Sequence, residues 1–86
     1  MPKLPRPTGA EMIRFLAWQG YRVARIRGSH HVLVKEALRT TVPVHGAATL
    51  RAGTLRGILR DVEITPAEFC LLWEQQSDVS AFCVVD

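Results

Sequence analysis

Gly28-Ser29-His30-His31-Val32-Leu33-Val34-Lys35 is the stretch from which the rest of the chain is read. A turn dipeptide opens it, two imidazoles follow, and a β-branched run makes residues 30 to 35 a strand. Alternation puts His30 with Val32 and Val34 on one face and His31 with Leu33 and Lys35 on the other. If the valines face the core, His31 points outward, where it can exchange protons. Imidazole is the side chain that titrates nearest neutrality. Leu33 fits this orientation least, and a purely structural role for the pair is the competing reading.

Upstream, Tyr21 to Arg27 alternates Tyr21, Val23, Arg25 and Arg27 against Arg22, Ala24 and Ile26, a half-buried strand whose register stays open. Downstream, Glu36-Ala37-Leu38 reads as a loose connector. Arg39 to Val44 reads as a third strand, with Thr40, Val42 and Val44 on one face and Pro43 near its end. Short connections favour an antiparallel meander. A proline-rich lead-in, residues 1 to 7, precedes a capping box at Thr8-Gly9-Ala10-Glu11. The helix that follows carries Met12, Ile13, Leu16 and Ala17 on its apolar face, with Phe15 and Trp18 flanking, and stops at Gly20.

After a loop at His45 to Thr49, Gly53-Thr54 opens a second helix with Leu55, Ile58 and Leu59 inward and Arg56 and Arg60 together on another face. Thr65-Pro66-Ala67-Glu68 starts a third, whose Phe69, Leu72 and Trp73 are apolar and which fades near Gln76 and Ser77. Val79 to Val85 then forms a short strand or a packed tail. This order describes a small α+β sandwich with its helices on one sheet face. The other face is left to carry arginines and a histidine.

Composition narrows the class. Eighty-six residues with 48% hydrophobic content make one domain, burying roughly 60 to 65% of its unfolded surface. A net charge of +3 hides a division: residues 1 to 60 hold all eleven Lys and Arg with only Glu11 and Glu36, while residues 61 to 86 hold the other six acids and no base. A basic front implies a polyanion-facing surface and the acidic rear a separate face, unless the charges simply pair within the fold. Cys70 and Cys83 are too few for a metal site or disulfide framework and fit thiols in a reducing cytoplasm. Prolines 2, 5 and 7 interrupt any signal-peptide core, and no stretch approaches the roughly 20 apolar residues of a membrane span, so a cytoplasmic protein without a membrane partner is expected.

Gly28-Ser29-His30-His31, then Val42-Pro43-Val44-His45, then Gly53-Thr54-Leu55-Arg56-Gly57-Ile58-Leu59-Arg60, and finally Ile64 with Glu68-Phe69 resemble the HicA (YcfA-like) family of messenger-RNA interferase toxins. The resemblance covers about residues 8 to 75. It implies a fold similar to the double-stranded-RNA-binding domain, with core residues 8 to 76 of a single domain spanning 1 to 86. It also implies RNA cleavage by one catalytic histidine and neutralisation by a HicB-type antitoxin. The last histidine of the family's Gly-Ser-[Asn/His]-His motif falls on His31. The chain departs from the pattern at Glu36-Ala37-Leu38, which lacks a turn glycine and some basic residues, and residues 77 to 86 extend beyond the family's usual end.

The chemistry expected of such a protein needs no cofactor or metal. An RNA 2′-hydroxyl can attack the adjacent phosphorus when a base takes its proton or an acid protects the leaving 5′-oxygen. His31 is the candidate for that exchange, and His45, if it reaches the same face, is a second acid/base. The alternative for His45 is a strand-end residue that orders the loop. Arg25, Arg27 and Lys35 are the candidate phosphate contacts, with Ser29 and His30 beside them. Ser29 is better placed as a turn former than as a nucleophile, since no Ser-His-acid set is visible. A zinc site on His30, His31 and His45 lacks a nearby carboxylate or cysteine as fourth ligand. The alternative function is a non-catalytic RNA-binding module that uses the basic sheet face.

Overall fold

A computed structural model describes residues 4 to 85, with side chains placed through Gln76. The order is α1 (Gly9–Trp18), β1 (Arg22–Arg27), β2 (His30–Lys35), β3 (Leu38–Pro43), α2 (Ala52–Asp61) and α3 (Pro66–Val85). The three strands form an antiparallel meander with β2 in the middle.

Local signals fix most of the ends. Thr8 and Glu11 close the capping box of α1 reciprocally, at 3.1 and 2.8 Å. The helix stops in a Schellman motif: Gly20, at φ +102, donates to the Ala17 carbonyl, and Tyr21 donates to that of Leu16. Thr65 and Glu68 form the same capping box at the start of α3. The lead-in is tied down as well, since Leu50 donates to the Pro7 carbonyl at 2.8 Å, Thr8 bridges Thr49 and Pro7 is buried.

Both hairpins are two-residue turns. Gly28, at φ +59, occupies the first loop position between β1 and β2, the arrangement of a type II′ turn. The connector between β2 and β3 is tighter than a loose loop. Lys35 pairs with Leu38, so Leu38 already belongs to the strand, and Glu36 takes the left-handed position at φ +54 that a glycine would fill without strain. A second glutamate, Glu63 at φ +59, ends α2 in another Schellman motif, with Ile64 donating to Leu59 and Glu63 to Arg60.

The core lies between one sheet face and the helices: Met12, Phe15, Leu16, Leu33, Val42, Leu55, Ile58, Leu59 and Phe69 are all buried. Phe15 is central rather than flanking. It meets Phe69 edge to face at 5.0 Å and approaches Trp73 at 5.9 Å, contacts worth about 0.5 to 1.5 kcal/mol each beyond the area they bury. Ala17, expected on the inner face, is exposed. Thr40, buried on the inner face of β3, donates to Asp61 at 3.0 Å and pins the end of α2 to the sheet.

Two further expectations change. α2 begins at Ala52, one residue ahead of Gly53-Thr54, and α3 does not fade near Gln76 but continues to Val85, so Val79 to Val85 is helix and not strand, and its packing lies outside the described side chains. An α-helix propagates through Ser77 and Asp78 once a well-capped start is in place, because nucleation is the costly step.

Candidate functional site

The sheet faces are the reverse of those expected from the valines. Leu33 is fully buried, and its partner Thr40 and the His31 partner Val42 are buried with it. His31, Leu33 and Lys35 therefore lie on the helix side, while His30, Val32 and Val34 lie on the open side. The error has a physical cause: β-branched residues suit either side of a strand, and the face that becomes core is chosen by the helices that cover it.

A β-bulge sets the orientation of β1. Pairing shifts between Val23 and Arg25, so Ala24 is the extra residue. Val23 and Ile26 thus share the inner face, opposite Leu33 and His31, and Arg22, Arg25 and Arg27 share the outer one, opposite Val34, Val32 and His30. Arg39, opposite Val34 on β3, adds a fourth guanidinium to the open face. Among the described residues no hydrogen-bond or ion-pair partner meets the guanidinium of any of these four arginines. The face is an array of uncompensated positive charge, suited to a polyanion. Arg22 joins Arg25 and Arg27 only because of the bulge, which alternation alone did not reveal.

The helices cover β2 and β3 but not the inner side of β1. Ile26 is 60% exposed and Val23 41%, whereas Leu33 beside them is sealed. His31 stands where the cover ends, half-buried between buried Val42 and exposed Ile26. Its Nδ1 lies 3.4 Å from the Ser29 carbonyl oxygen, which also accepts from the Val44 amide at 2.8 Å.

One end of the sheet gathers much of the chemistry. Arg27 pairs with His30, His30 with Pro43, and Val44 bonds to Ser29, so exposed His45 follows at the same end as His30, Ser29 and His31. Arg25 sits further along the open face, opposite Val32. Lys35 is not part of this cluster. It lies four residues along β2 from His31, about 13 Å at the usual rise, and its ammonium donates to the Gln19 carbonyl at 2.8 Å and sits 5.8 Å from the Tyr21 ring centre. No group of three or more His, Cys, Asp or Glu that could hold a metal ion occurs among the described residues. No helix there is long and apolar enough to cross a membrane.

A helix, a three-stranded antiparallel meander and two more helices, with α1 and α2 packed on one sheet face and α3 against those two helices, define a small α+β domain similar to the double-stranded-RNA-binding fold. Residues 9–64 match the family model of the HicA toxin of bacterial toxin-antitoxin systems, and the chain belongs to that family. It is accordingly a toxin whose family implies an antitoxin partner. No curated protein and no solved structure matches the chain.

Proposed function

We propose that this toxin is a metal-independent endoribonuclease that cleaves messenger RNA, with His31 as its general acid/base, and that a HicB-type antitoxin in the cytoplasm neutralises it. The observation that carries the reading is the position of His31 at the lip of the covered face, half-buried but beside exposed Ile26. Arg27 and His30 are the open-face residues that flank the Gly28-Ser29 turn, and His31 is the first inner-face residue after it. An RNA strand laid over this turn meets the arginine array on one side and the imidazole on the other.

The chemistry follows from the nucleophile RNA brings. The 2′-oxygen attacks phosphorus, the 5′-oxygen leaves, and the products are a 2′,3′-cyclic phosphate and a 5′-hydroxyl. One well-placed imidazole contributes about a hundred to ten thousand fold to such a reaction. Arg25 and Arg27 grip neighbouring phosphates, and Ser29, as turn former, and His30 line the approach. Lys35, held by Gln19, supports the fold instead of the grip. His45 is a second proton carrier at the same end of the sheet.

The second reading, RNA binding without cleavage, draws on one specific observation: the four arginines occupy the face opposite His31. Expression in a sensitive bacterial host separates the two. Wild-type protein arrests growth with loss of full-length messenger RNA, His31→Ala does not, and co-expressed antitoxin restores growth to the wild type. Equal arrest by both proteins with intact messenger RNA supports the binding module.

A further inference from the structure

The contact between His31 and the Ser29 carbonyl fixes more than the ring's direction. A carbonyl oxygen only accepts, so the 3.4 Å approach of Nδ1 is a hydrogen bond only when Nδ1 carries the proton. The proton of a neutral imidazole is placed by the partner of one nitrogen, which leaves the other nitrogen with its lone pair. In water that proton prefers Nε2. A carbonyl partner at Nδ1 reverses the preference.

The acceptor is held from two sides. Ser29 follows Gly28, whose φ of +59 sets the orientation of the turn, and the Val44 amide donates to the same oxygen at 2.8 Å from just beyond the end of β3. The oxygen is therefore anchored by the turn and by β3 independently of the imidazole.

We propose that the Ser29 carbonyl is a positioning group that holds neutral His31 as its Nδ1–H tautomer, making Nε2 the atom that handles the proton. This rests on the reading of His31 as the acid/base. During cleavage the bond from the 2′-oxygen to phosphorus forms as the bond from phosphorus to the 5′-oxygen breaks. One proton leaves the 2′-hydroxyl and one arrives at the 5′-oxygen. Nε2 serves one end of that exchange and the second proton carrier, His45 or a water, the other, while Nδ1–H stays hydrogen-bonded to the Ser29 carbonyl and shares the charge of the imidazolium. Ser29 thus acts through its backbone, and its hydroxyl takes no part.

The turn glycine provides the variant. A Cβ on Gly28 would meet nothing within 4 Å, so Gly28→Ala strains only the positive-φ backbone at the first position of the type II′ turn, a position that asparagine accepts better than alanine. Long-range proton-nitrogen correlation spectra of the ¹⁵N-labelled protein, recorded without RNA at a pH where the ring is neutral, read the tautomer directly. The expected wild-type result is a protonated Nδ1 and an unprotonated Nε2. Gly28→Ala moves the population toward Nε2–H and lowers kcat roughly ten- to a hundredfold, and Gly28→Asn restores both. A wild-type His31 protonated on Nε2 overturns the proposal, as does a Gly28→Ala protein that loses rate while its tautomer is unchanged. Failure of the catalytic reading looks different: the Nδ1–H signature is present, yet His31→Ala cleaves RNA at the wild-type rate.

Discussion

Ile26 on the edge strand stands directly opposite His31 on the central one, on the helix side of the sheet, yet 60% of its surface is in solvent. Its neighbour in the same layer, Leu33, is fully buried. The boundary of the helical cover passes between them, and it leaves the imidazole within reach of a ligand. The energetic consequence is a steep contrast. Leu33→Ala costs about 2 to 5 kcal/mol in a chemical unfolding experiment, and Ile26→Ala changes stability by less than about 1 kcal/mol. Equal losses at the two positions would mean that β1 is covered.

Gly9 and Gly57 make a second contrast, this time between two helical glycines. A Cβ on Gly9 would run into the Pro43 carbonyl oxygen and lie 2.9 Å from the Val44 Cα, both backbone atoms at the end of β3. Gly57, inside α2, has nothing within 4 Å of the same added atom. Gly9→Ala therefore destabilises by about 2 to 3 kcal/mol, and Gly57→Ala stabilises by about 0.5 to 1 kcal/mol through helix propensity. Thermal unfolding of the two variants gives the signs.

Two glutamates hold left-handed backbone. Glu36, at the turn between β2 and β3, and Glu63, at the end of α2, have φ near +54 and +59. Neither carries the glycine that such positions favour. Replacing either with glycine relieves strain of roughly 1 to 2 kcal/mol but adds chain entropy to the unfolded state, for a net gain of about 0.5 to 1 kcal/mol in denaturant titration.

Alkaline stability is set in part by Tyr21. Burial, and secondarily the negative charge of Glu63, raise its hydroxyl pKa above the ordinary 10.0. Above pH 10 the unfolded chain releases this proton before the folded one does, so the folded state binds more protons and stability falls as pH rises toward the folded pKa. Below pH 10 the group contributes no slope. Tyr21→Phe should flatten the alkaline limb of a stability-against-pH curve, and Glu63→Gln, which removes the secondary cause of the shift, should shorten that limb from its upper end and leave its onset near pH 10 unchanged.

Much of the fold was legible because its signals are local. The capping boxes at Thr8-Glu11 and Thr65-Glu68 and the turn at Gly28-Ser29 each depend on residues within four positions of one another. The orientation of the site was not. Ala24 carries no mark of a bulge, and without it Val23 and Ile26 fall on opposite faces by simple alternation. Val32 and Val34 look more like core than Leu33 does, because the choice is made by α1 and α2 from elsewhere in the chain. The positive φ of Glu36 and Glu63 was not legible, since neither is the glycine that normally announces it. The arginines of the open face all come from the basic front of the chain. That Arg25 and Arg27 point away from His31, and that Lys35 is spent on Gln19, follows from register and packing alone.

The most direct measurement is cleavage of a single-stranded RNA by purified protein in the presence of a chelator, with wild type and His31→Ala compared and the product ends identified. Wild type should yield 2′,3′-cyclic phosphate and 5′-hydroxyl termini at a rate at least about a hundredfold above that of the variant. Cleavage undiminished in His31→Ala, or RNA bound by the wild type but left intact, would contradict the assignment of this imidazole.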